Sequence, residues 1–113
     1  MCTQEQLDNI TKEIVREAKK LLEDRLVSVR LYGSYARGTF DNESDIDIMI
    51  LADVTAEEAS RLRHKTVRLT SRLGLEYDVV ISLHIKDKQT FYEWLNVMPF
   101  YQNVIKEGIE LSA

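Results

Sequence analysis

The run Asp45-Ile46-Asp47-Ile48-Met49-Ile50 constrains this chain more than any other, because its alternation reads as a strand with one apolar face. A strand sends successive side chains to opposite faces. Asp45 and Asp47 therefore point one way, and Ile46, Ile48 and Ile50 the other. Two carboxylates side by side repel, which costs stability unless a cation lies between them. Upstream, Leu26 to Tyr32 alternates too, and ends in Gly33-Ser34, separated from Asp45 by ten residues. A small turn of that kind can offer backbone N–H groups to an anion.

A chain of 113 residues fits one domain, 1–113, with one core. No apolar run reaches the length of a membrane span, and the polar start Met1-Cys2-Thr3-Gln4-Glu5 is not expected to act as a signal peptide. The lone cysteine, Cys2, is expected at a frayed terminus and is read as inert. With no internal disulfide available, the cytoplasm is the expected compartment. A formal net charge of −4 argues against broad nucleic-acid binding, which relies on Lys and Arg neutralising phosphates. The local exception is Arg61, Lys65, Arg68 and Arg72, a basic stripe at helical spacing. It reads either as a solvated helix face or as a contact for an acidic partner or RNA.

Leu7, Ile10, Ile14, Ala18 and Leu21 fall at helical spacing and predict an amphipathic helix over 4–24. In the first strand Val27, Val29 and Leu31 are expected on one face, and Ser28, Arg30 and Tyr32 on the other. The loop 33–44 holds Gly38 and Asp41-Asn42, and its Gly-Ser end is expected to start a short helix. Thr55 is expected to N-cap a helix ending near Leu73 and Gly74. A third strand is expected over 76–84, with Asp78, Val80 and Ser82 on its polar side. Two short helices, about 90–96 and 100–106, flank Pro99 and are closed by Gly108. The expected fold is a small mixed α+β sheet with helices on one face and carboxylates on the other.

Asp45, Asp47 and Asp78 would then converge. The bland alternative leaves Asp45 and Asp47 as surface residues at a strand edge and Asp78 as coincidence. A third carboxylate in phase, together with the Gly-Ser turn, favours a metal site. Oxygen-only ligands suit Mg²⁺ shared with triphosphate oxygens, and two ions could act together. Asp45 and Asp47 would hold both ions, while Asp78 would sit beside an acceptor as a ligand of the first ion or as its base. Ser34 and the amides after Gly33 would hold the β- and γ-phosphates. Arg37 is either a second phosphate contact or a pin for the loop through Asp41 or Glu43.

The compound pattern GSYARGTFDNESDIDIMI, with the later YDVVIS and the closing IKEGIEL, resembles the nucleotidyltransferase superfamily with a DNA polymerase β-like palm. In particular it resembles the minimal nucleotidyltransferases of bacteria and archaea, over nearly the whole chain. The resemblance implies Mg²⁺ at Asp45, Asp47 and Asp78, and nucleotide phosphates at Gly33 and Ser34. Minimal members resemble antitoxins that transfer AMP from ATP onto a tyrosine of a HEPN-domain RNase toxin. Such a partner, or a second copy of this chain, is expected to complete an otherwise open site. Transfer to a small-molecule hydroxyl, such as that of an antibiotic, is the competing enzyme reading. Toxin neutralisation by occlusion without chemistry is a third.

The stretch from Phe91 to Tyr101 is rich in aromatics. Phe91 and Trp94 are read as core, with one or two neighbours left as an apolar docking patch. His64 and His84 show no ligand spacing and are read as structural.

Overall fold

The computed structural model describes residues 2–41 and 43–112. Helix α1 (Gln4–Leu22) starts at a capping box. Thr3 accepts from the Gln6 N–H, and the Gln6 side chain reaches back to the Thr3 N–H. Its buried face carries Leu7, Ile10, Ile14, Ala18 and Leu22. There follow β1 (Leu26–Tyr32), the single turn α2 (Ser34–Arg37), β2 (Ile46–Ala52) and α3 (Ala56–Tyr77). The chain finishes with β3 (Ile81–Asp87), α4 (Lys88–Trp94), α5 (Pro99–Glu107) and the two-residue β4 (Ile109–Glu110). The sheet order is β3-β2-β1-β4. Strand β1 pairs antiparallel with β2 and β4, while β2 and β3 run parallel, joined through α3 as a parallel pair requires. Among the described residues no helix is long and apolar enough to cross a membrane.

Ile46, Ile48 and Ile50 pack with Val29, Leu31 and the buried face of α1 into the main core, as their alternation requires. The mixed α+β sheet is the expected one, with three differences of detail. First, Val27 is 39% exposed rather than buried with Val29 and Leu31. A register shift between Leu26 and Ser28 inserts Val27 as an extra residue, and strict alternation holds only beyond it.

Second, α3 does not stop at Gly74. Thr55 does N-cap it, with Glu58 completing the capping box. Leu62, Leu69, Leu73 and Tyr77 keep packing on the core at helical spacing, so the helix runs on through the glycine. The stop is Asp78, which takes the left-handed conformation at φ 53°. The Gly74 carbonyl accepts from the amides of both Asp78 and Val79. A side chain at Gly74 would meet the Val79 carbonyl oxygen at 2.9 Å, so close return of the chain requires the glycine. The third strand consequently begins at Ile81, and Asp78 precedes it instead of lying in it.

Third, the polar face of the sheet is open only at one end. Beyond Asp47, the same face of β2 presents Met49 and Leu51, buried with Tyr32 under Phe91 of α4 and Val104 of α5. Helices α1 and α3 cover one face of the sheet, and α4 and α5 the far half of the other. Phe91 is core as expected, whereas Trp94 is 48% exposed. Cys2 is not frayed: it is 4% exposed within the main core.

Candidate active site

Strand β1 delivers the chain to Gly33, whose φ of 74° few other residues would adopt. The amides of Ala36 and Arg37 both donate to the Gly33 carbonyl at 3.1 Å, which winds α2 into one turn. Gly38, at φ 76°, ends that turn. Tyr35 is buried and stacks on Phe40, ring centroids 4.4 Å apart and planes 6° from parallel, so the loop is held against the core. Its exit is fixed by Asp41. The Asp41 carboxylate accepts from the Glu43 amide at 2.9 Å, and its own N–H donates to the Ser44 hydroxyl oxygen at 2.9 Å. This local cap presents Asp45 at the mouth of β2.

Asp47 lies opposite Tyr32 in the β1–β2 ladder, and its carboxylate packs directly on Gly33. A Cβ at position 33 would overlap Asp47 Oδ2. Turn and carboxylate are therefore one unit, built from the end of β1 and the start of β2. Burial, and then the neighbouring Asp45 charge, raise the Asp47 pKa; His84 and Arg37 oppose the rise. A carboxylate disfavoured by burial and by its neighbour is the condition that a divalent cation relieves, and the oxygen donors of Asp45 and Asp47 fit Mg²⁺. Burial, with Asp47 opposite, pushes the Tyr32 hydroxyl up to about 12. Tyr32 is thus a neutral wall of the site.

Asp78 occupies a different position from the expected one. It caps α3 and lines a cavity of about 200 Å³ together with Asp45, Glu43, Ser44, Tyr35 and Cys2. Among the described residues no three acidic, histidine or cysteine side chains gather closely enough to hold one metal ion. The candidate site thus centres on the pair Asp45 and Asp47, with Asp78 sharing a cavity with Asp45. Burial also pushes the Cys2 thiol pKa up, which disfavours its reactive thiolate.

The parallel register sets Ser82 beside Asp47 and His84 beside Met49, so β3 offers Ser82 and His84 to this face. Ser82 Oγ and His84 Nε2 lie 3.3 Å apart, and the His84 ring meets Phe100 edge-on at 6.5 Å. His84 is a site neighbour that sequence spacing did not indicate. Its only signal was period-two phase with Ser82, which has meaning once the register with β2 is known. Arg37 pins neither Asp41 nor Glu43. Its Nη1 donates to Glu107 Oε2 at 3.0 Å, which ties α2 to the end of α5. The basic stripe is interrupted, because Arg72 pairs with Glu13 and Glu76.

The nucleotidyltransferase domain pattern matches residues 11–108. A relative from Methanocaldococcus jannaschii, named “Putative protein adenylyltransferase MJ0604”, is 36% identical over 97 residues, spanning 86% of this chain and 89% of that protein. A toxin–antitoxin crystal structure with AMP-PNP superimposes with a TM-score of 0.56 at 25% identity, over 89% of this chain and 71% of that one. Spectinomycin adenyltransferase AAD(9) from Enterococcus faecialis, solved with ATP and spectinomycin, shares the fold. Its TM-score is 0.51 at 22% identity, over 96% of this chain and 48% of that one.

Proposed function

We propose, from the premise that this chain belongs to the nucleotidyltransferase domain family and is a nucleotidyltransferase, that it transfers AMP from ATP to a tyrosine hydroxyl of a partner protein. The partner we infer is a HEPN-domain toxin, which would make the chain a cytoplasmic antitoxin. The observation that carries the reading is the close seating of the Asp47 carboxylate on Gly33, with Asp45 beside it at the head of β2. The adenylyltransferase name of the M. jannaschii relative and the toxin–antitoxin neighbour with its ATP analogue support the donor and the partner class.

Gly33 lets the chain turn close beside the acidic pair, so the β- and γ-phosphates lie along Ser34 and the amides of α2. The Ser34 hydroxyl donates to a phosphate oxygen, and the free guanidinium edge of Arg37 contacts another. Asp45 and Asp47 would hold Mg²⁺, two ions in the full site, and the metal would supply charge neutralisation at the α-phosphate and acidify the acceptor hydroxyl. The acceptor oxygen forms a bond to the α-phosphorus as the bond to pyrophosphate breaks. Asp78, across the cavity from Asp45, is assigned to take the proton that leaves the hydroxyl.

Intact mass tests this reading. The chain is combined with Mg²⁺, each of the four nucleoside triphosphates in turn, and the protein encoded beside it. An AMP increment on that protein with ATP alone, abolished in Asp45→Asn/Asp47→Asn, is expected. A tight complex without any increment would overturn protein adenylylation and leave occlusion or a small-molecule acceptor.

A further inference from the structure

Strand β3 is an edge of the sheet, and among the described residues nothing pairs with its outer side. A groove of about 460 Å³ straddles that edge. Arg63 and Val67 of α3 form one wall, and His84, Lys86, Phe100 and Tyr101 form the other. Two properties of this groove point to its occupant. The first is charge: Arg63, Lys86 and His84 line it, and among the described residues no carboxylate does. The second is backbone. A seven-residue unpaired edge carries a row of N–H and C=O groups about 23 Å long at a rise of ~3.3 Å per residue. That row matches an extended peptide, not a nucleotide.

The lining of the groove also adjoins the strand that carries Asp47. Asp47 and Met49 are successive residues on the same face of β2, and His84 and Met49 are register partners. We propose that an acidic extended segment of the protein acceptor adds as a strand along the free edge of β3, its carboxylates held by Arg63 and Lys86, and so leads its hydroxyl toward Asp45 and Asp47. This deepens the transferase reading and rests on it for the identity of the acceptor. Main-chain pairing supplies affinity in strand addition, and the flanking cations select the acidic sequence.

The probe is a fluorescein-labelled octapeptide of alternating Glu and Val with one central Tyr, with a Lys-for-Glu counterpart as control. Wild-type protein is expected to bind the acidic peptide at least ~10-fold more tightly than the basic one, with affinity falling as salt rises. Amide hydrogen exchange over 81–87 is expected to slow when the acidic peptide binds. Arg63→Glu/Lys86→Glu should weaken peptide binding at least ~10-fold while leaving MgATP affinity unchanged. Lys86→Gln, a milder change, should weaken it in the same direction.

Equal binding of the two peptides, or no protection of 81–87, would overturn the proposal. So would loss of MgATP binding in the charge-reversed variant, which would give the groove to the nucleotide. Loss of self-association in that variant, without effect on the peptide, would give the edge to a second copy and overturn it too. Peptide binding with protection but without AMP transfer would support the docking edge and defeat the transfer reading, so the two failures are distinguishable.

Discussion

The Asp47 carboxylate fills the space in which any residue other than glycine at position 33 would carry its Cβ. The turn that is proposed to receive phosphates and the carboxylate that is proposed to hold metal thus depend on one another sterically.

Gly33→Ala consequently carries two costs, the left-handed φ and displacement of Asp47. A loss of about 1–3 kcal/mol in stability is expected, with activity reduced well beyond what unfolding explains. Gly38→Ala is the control. Its φ is also positive, but an added Cβ meets nothing within 4 Å. It should cost roughly 1 kcal/mol and retain activity. Urea denaturation together with initial rates checks both.

Asp47 also predicts a reversal of stability with ligand. Its folded pKa is raised by burial and by Asp45, so the ionised form is disfavoured in the fold. The group's stabilising contribution is complete below its ordinary carboxylate pKa, and is lost as pH rises through the raised folded value. At neutral pH with chelator, Asp47→Asn should melt above wild type. With Mg²⁺ and ATP the order should invert, because only wild type gains the ligand's stabilisation. Thermal scans in the two buffers give the comparison.

Arg37 has one observed contact and one proposed role, and the two are separable. Its ion pair with Glu107 is half-exposed and contributes little to stability, on the order of 0–1 kcal/mol. If the guanidinium also contacts phosphate, Arg37→Ala raises KM for ATP while Glu107→Gln does not. Equal effects of the two substitutions would make Arg37 a strut.

Asp87 reports on the scaffold rather than the site. It N-caps α4, accepting from the Thr90 N–H at 2.8 Å. Burial raises its pKa, but hydrogen bonds from the Thr90 amide and side chain outweigh this and leave it lowered. A lowered folded pKa means stability present above the ordinary carboxylate value and lost as pH falls through the folded one. Asp87→Ala should cost about 1–2 kcal/mol at neutral pH, with the gap from wild type closing in acid. Denaturant midpoints across a pH series test this.

The acidic pair and the Gly-Ser turn were legible in the sequence because both are local. Alternation sets the face of Asp45 and Asp47, and a glycine before a short helix marks the turn. What was illegible depends on pairing between distant strands. Tyr77-Asp78-Val79-Val80 alternates like a strand, yet Leu69, Leu73 and Tyr77 continue a helix, and packing on the core decided for the helix. That choice moved β3 by several residues, took Asp78 out of the strand and set Ser82 and His84 beside the site. Met49 and Leu51 did signal a second covered face, since apolar residues there break the polar half of the alternation. The bulge at Val27 falls where Leu26 and Val27 set two apolar residues in succession, a small mark hidden by the regular alternation from Val27 to Leu31.

The central claim, nucleotidyl transfer dependent on Asp45 and Asp47, is tested most directly by following the label from ATP. ATP labelled at the α-phosphorus and ATP labelled at the γ-phosphorus are each incubated with Mg²⁺, this chain and the partner protein. Transfer of the α-label alone, lost in Asp45→Asn/Asp47→Asn, is the predicted result. Transfer of the γ-label, or α-label transfer that survives in the double variant, would contradict the account.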